Sequence, residues 1–138
     1  MRVVLDTNLL VSSLLARHGN ERRVLNLALN QKFTLLVSDA IMVEYEAVLS
    51  RPELKLAPDE VRAVLDAIRR IAERIQPQDT VTASPDEEDN RFLECVEAGD
   101  SEYLVTGNKR HFPATWGKAR VVNARQFLEL VSPEANRR

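Results

Sequence analysis

Short apolar runs alternate along the chain with stretches whose apolar residues recur every three or four positions, the pattern of strands separated by helices. Arg2 to Asp6 (RVVLD) is an apolar run ending in a carboxylate, and after the polar break Thr7-Asn8 the residues Leu9, Leu10, Ser13 and Leu14 take up helical spacing. A strand therefore leads directly into a helix. Val24, Leu25, Ala28 and Leu29 continue with helical spacing, Phe33 to Val37 (FTLLV) reads as a buried strand, and Ser38 is placed to cap the next helix. Pro58-Asp59-Glu60 opens a helix with Val61, Val64, Leu65, Ile68, Ile71, Ala72 and Ile75 on one face, ended by Pro77. After a short strand at Thr80 to Thr82, Ser84-Pro85-Asp86-Glu87 combines a capping box with proline at the first helical position, which predicts a helix to about Gly99. Glu102 to Thr106 is the next strand, Gly107 to Pro113 a turn, Ala119 to Val122 a last strand and Arg125 to Val131 a last helix.

This alternation gives the α/β class, a three-layer sandwich whose central, mainly parallel sheet is flanked by helices. In such sheets ligands gather outside the carboxyl ends of the strands, where the sequence puts Asp6 and Asn108. The 138 residues, 44% of them hydrophobic, suffice for one core, so a single domain is expected over 1–132, with a short polar tail at 133–138. One cysteine, Cys95, cannot form an internal disulfide, no charged leader with an apolar block precedes Val3, and no apolar run approaches the roughly 20 residues of a membrane helix. A cytoplasmic protein without a membrane anchor is the expectation. Nineteen basic against 21 acidic residues give a net charge of −2, which excludes a histone-like coating of positive charge. A polyanion must then bind at a local patch.

Acidic residues become candidates for chemistry where the helical advance of about 100° per residue turns them inward. After Ser38 the apolar stripe is Ile41, Tyr45, Val48 and Leu49; Glu44 borders it and Glu46 points the opposite way. After Ser84 the stripe is Phe92, Leu93 and Val96, and Asp89 lies near its centre. Asp86, Glu87 and Glu88 lie further round, where acids in a first turn complement the helix dipole. Asp6 on its own reads either as a site carboxylate or as a helix cap. Three inward carboxylates converging at one sheet edge repel one another unless a divalent cation compensates them, and oxygen ligands alone select Mg²⁺ or Mn²⁺, ions suited to phosphodiester hydrolysis. His18, His111 and Cys95 lack the spacing of a zinc site, and no glycine-rich phosphate loop is present.

At these residues the chain resembles the PIN domain, and within it the toxin components of bacterial toxin–antitoxin systems. Four segments carry the resemblance in order and cover nearly the whole chain: VVLDTNLLVSSLL, SDAIMVEYEAVLSRPEL, SPDEEDNRFLECVEAGDSEYLVTGNKRHF and VVNARQFLEL. The resemblance places the family's first acid on Asp6, its helix glutamate on Glu44 and its third acid on Asp89. The fourth usually follows a strand in a V-T-G-D pattern; here that position is Asn108, whose amide offers a carbonyl oxygen but one negative charge fewer, so a cation, and especially a second one, should be held less tightly. Asp86 is the nearest residue to compensate, and Thr7, Asn8 and Thr106 are placed to orient carboxylates. Lys109 and Arg110, followed by His111, stand where RNA phosphates would pass, whereas Trp116 reads as a packing residue. The resemblance implies an endoribonuclease that cuts single-stranded RNA with metal-activated water, uses Mg²⁺ or Mn²⁺, forms a homodimer and is restrained by an antitoxin. Asn108 leaves open a degenerate PIN domain that binds RNA or a protein without cleavage.

Overall fold

A computed structural model describes residues 1–131; the expected tail at 133–138 lies outside the described residues. Its six strands are β1 (Arg2–Leu5), β2 (Thr34–Val37), β3 (Glu73–Arg74), β4 (Tyr103–Val105), β5 (Thr115–Trp116) and β6 (Ala119–Val122). The helices are α1 (Thr7–Leu15), α2 (Asn20–Leu29), α3 (Asp39–Leu49), α4 (Pro58–Ile71), α5 (Glu87–Ala98) and α6 (Ala124–Leu130). The strands form one sheet in the order β3-β2-β1-β4-β6-β5, parallel except for β5, and the helices flank it. This is the expected α/β architecture. Val3, Val4 and Leu5 of the central β1 are wholly buried, as continuous apolar strands covered on both faces must be. No helix of the described residues is long and apolar enough to cross a membrane.

The expected helix through Ile75 is shorter than its apolar spacing suggests. Ala72 turns to extended backbone (ψ 148°), and Glu73–Arg74 pair in parallel with Leu36–Val37. Three hydrogen bonds explain the change. The Ile75 N–H donates to the Val37 carbonyl at 2.7 Å, and both Arg2 terminal nitrogens donate to the Glu73 carboxylate at 2.9 and 2.7 Å, so the outer edge of β2 gains a partner strand. Ile75 stays buried, because an extended residue reaches the same core its helical spacing pointed to.

The start of α5 is likewise displaced. Asp86, not Ser84, is the N-cap and accepts from the Glu88 N–H at 3.0 Å. Ser84 is held back in the preceding loop by wholly buried Asn90, whose side chain takes the Ser84 N–H (2.8 Å) and donates to the Ser84 carbonyl (3.0 Å). Residues 80–82 form no strand; Val81 is buried there and its N–H donates to Glu94 instead. Ser38 caps α3 as expected, through Ile41 N–H.

Candidate active site

Asp6 stands between the last residue of β1 and the first of α1, where its carboxylate both caps the helix and is buried. As a cap, its Oδ1 accepts from the Thr7 N–H at 2.8 Å. As a buried carboxylate, only 5% exposed, its Oδ2 accepts from the Thr106 hydroxyl at 2.7 Å, and its own N–H donates to the Val105 carbonyl at 2.9 Å. The carbonyl of Leu5, one residue earlier, accepts from the wholly buried Tyr45 hydroxyl. Asn8 Oδ1 accepts from the Gly107 N–H at 3.0 Å, a second tie between the ends of β1 and β4. Burial pushes the Asp6 pKa up, and the Thr106 and Thr7 hydrogen bonds oppose that rise without cancelling it.

Glu44 enters from α3, half-buried, and accepts from the Thr7 hydroxyl at 3.2 Å. Burial raises its pKa, and the neighbouring carboxylates of Glu88 and Asp6 raise it further. Glu88 lies within hydrogen-bonding reach of Glu44. Asp89 enters from the first turn of α5, its side chain 13% exposed. Burial above all, then the charges of Asp6 and Asp86, push its carboxyl from 3.8 to about 6. Its Oδ2 is buried and has no hydrogen-bond partner; His111 Nδ1 lies 3.5 Å away.

Thr106, Asn108, Lys109 and Arg110 follow β4 at the carboxyl end of the sheet. Thr106 bonds Asp6 and also accepts from the Asn108 N–H at 3.0 Å, so the fourth position is coupled to Asp6 through one hydroxyl. Asn108 itself is exposed. Asp86 is spent on capping α5. Lys109 donates to Gln126 Oε1 at 3.0 Å, Arg110 is exposed, and Trp116 packs against the core with partial burial.

Three residues were not expected beside the carboxylates: Asn90, Glu88, read as a helix-dipole acid, and His111, read with Lys109 and Arg110 as a neighbour of RNA phosphates. Asn90 carried a signal, being a polar residue three before Leu93 on the apolar stripe. Glu88 and His111 carried none, since only the folding together of α3, α5 and the 3₁₀ turn Lys109–His111 brings them to the carboxylates.

Among the described residues no three His, Cys, Asp or Glu side chains are gathered as a finished metal-ligand set. The donor chemistry nevertheless fits a dication. Asp6 raises the pKa of both Glu44 and Asp89 through its charge, and Asp89 Oδ2 is a buried acceptor without a donor, an arrangement that a positive charge satisfies.

Comparison with known proteins identifies the family and supports the fold. A family model described as PIN domain matches residues 2–110. An uncharacterized protein of Methanocaldococcus jannaschii is 26% identical over 112 residues, 79% of this chain and 72% of that protein. Among solved structures, VapBC2 from Rickettsia felis bound to a DNA fragment from their promoter is similar with a TM-score of 0.53 and 16% identity, over 89% of this chain and 98% of that one. At that identity the likeness speaks for the fold.

Proposed function

The chain belongs to the PIN-domain family, and from that premise we propose that it is a metal-dependent endoribonuclease that cuts single-stranded RNA in the cytoplasm. What supports this most is the convergence of Asp6, Glu44 and Asp89, from three separate elements, on one end of the parallel sheet. Asp6, Glu44 and Asp89 would hold Mg²⁺ or Mn²⁺, with Asn108 as a neutral fourth member. When bound, the cation compensates the carboxylates and makes water a competent nucleophile at neutral pH.

The chain's own groups do the positioning. Thr106 and the Thr7 N–H fix both oxygens of Asp6, and the Thr7 hydroxyl steers Glu44, so the first two carboxylates are oriented before any ligand arrives. Burial and the neighbouring acids raise the Asp89 carboxyl to about 6, so a cation bound there would compete with a proton as the pH falls below that value. Lys109 and Arg110, on the turn beside Asn108, are assigned to RNA phosphates. Asn108 lowers the negative charge, so one cation suits the site better than two, and that one is held less tightly than by four acids.

The family resemblance and the VapBC fold likeness also support pairing with an antitoxin, the chain being the toxin, and homodimer formation is part of the same proposal. Purified protein incubated with labelled single-stranded RNA should cut it in Mg²⁺ or Mn²⁺ and stop on chelation. RNA left intact in both ions would overturn the proposal.

A further inference from the structure

Asn90 is wholly buried near the start of α5, and its side-chain amide directs both its functions to one residue. Its Oδ1 accepts from the Ser84 N–H at 2.8 Å, and its Nδ2 donates to the Ser84 carbonyl at 3.0 Å and, at 3.4 Å, to Glu87 Oε1. Residues 80–86 belong to no strand or helix, so the backbone of buried Ser84 has no ladder partner. The amide supplies the donor and acceptor that a neighbouring strand would.

Ser84 passes the constraint on. Its hydroxyl donates to the His111 carbonyl at 3.1 Å and accepts from the Asp86 N–H at 3.3 Å. His111 closes the 3₁₀ turn Lys109–His111, whose first residue is tied on its other side to Gln126 of α6. The helix turn that carries Asp89 and the turn that carries Lys109 and Arg110 are therefore joined through two side chains, and His111 Nδ1 comes to 3.5 Å from Asp89 Oδ2. We propose that Asn90 is a positioning residue of the carboxylate centre: acting through Ser84, it holds Asp89 and the basic turn at a fixed separation, so that RNA meets the acid and the cations as one unit.

The residue type matters. Aspartate has the same shape but no donor, so Asn90→Asp sets a carboxylate against the Ser84 carbonyl and Glu87. Ser84→Ala is the narrower change. The Asn90 bonds go to the Ser84 backbone and survive it, while the tie to His111 is cut together with the longer bond from Asp86.

This inference rests on the nuclease reading above, and the test separates the two. Values of kcat and KM for labelled single-stranded RNA in Mn²⁺ are compared for the full native chain, Ser84→Ala, Asn90→Asp and Gly99→Ala, at a temperature where circular dichroism shows each folded. Gly99→Ala, altered at the far end of α5, controls for lost stability alone and should keep both constants within about twofold. Ser84→Ala should raise KM about threefold or more and change kcat by less than about twofold, because the basic turn loses its tie while Asp89 keeps its own. Asn90→Asp should lower kcat about tenfold or more and raise KM as well, because both ends of the relay are released. Amide hydrogen exchange at His111 and Phe112, whose N–H groups close the turn, should quicken in both variants and not in Gly99→Ala. A native KM in Ser84→Ala, or losses in Gly99→Ala that match those of Asn90→Asp, overturns the assignment and leaves the nuclease centre standing; Ser84→Ala alone decides if Asn90→Asp does not fold. No cleavage by the native chain overturns both.

Discussion

Thr106 gives its hydroxyl proton to Asp6 Oδ2 and takes a hydrogen bond from the Asn108 N–H, so a single side chain transmits the position of the β4 turn to the buried acid of β1. Valine has nearly the same shape and neither function. Thr106→Val should cost about 1–3 kcal/mol, read from urea unfolding, because a buried carboxylate loses its best donor. Asp89 gives a pH prediction. Its folded pKa of about 6 lies above its ordinary 3.8, so the folded state binds the proton more tightly than the unfolded chain does. The stability this provides is complete below about pH 4 and is lost as pH rises through about 6. Metal-free protein should consequently melt higher at pH 5 than at pH 7.5. Asp89→Asn should flatten that dependence and raise the melting temperature at pH 7.5, by about 0.5–2 kcal/mol equivalent; an undiminished dependence in the variant contradicts the assignment. The inward turn of Asp6, Glu44 and Asp89 was legible in the sequence because strand ends and helical periodicity say which way a side chain faces. His111 and Glu88 were not, because their approach depends on where separate elements dock.

At the scale of elements, the long strands and helices follow their apolar periods, and the departures sit where a side chain captures backbone. Arg2 draws Glu73 onto the edge of β2 and Asn90 holds Ser84 out of α5. Neither capture has a local signature: Arg2 and Glu73 are far apart along the chain, and Asn90 binds backward across a proline. The two-residue strands β3 and β5 are too short to show any period. Gly99 marks where α5 ends against the sheet. A Cβ there would meet Leu36 Cδ1 at 2.8 Å and Ile75 Cγ1 at 3.1 Å, both in the core. Its carbonyl also accepts from Arg2 Nε at 2.8 Å. Gly99→Ala should therefore destabilise by about 1–3 kcal/mol, seen as a lower denaturant midpoint at unchanged slope.

Across the whole molecule, the order β3-β2-β1-β4-β6-β5 sets β1 beside β4, and the proposed site depends on that adjacency: Asp6 follows one strand, Thr106 and Asn108 the other, and Glu44 and Asp89 come from α3 and α5. The α/β class and the carboxyl-end location were readable from alternation alone, whereas the antiparallel β5 at the far edge was not. Cleavage of labelled single-stranded RNA by the folded native chain, beside Asp6→Asn and Asp89→Asn in the same Mn²⁺ buffer, tests the nuclease centre most directly. Each variant should lose at least about 100-fold in rate while keeping its circular dichroism spectrum; cleavage at the native rate by both would contradict it.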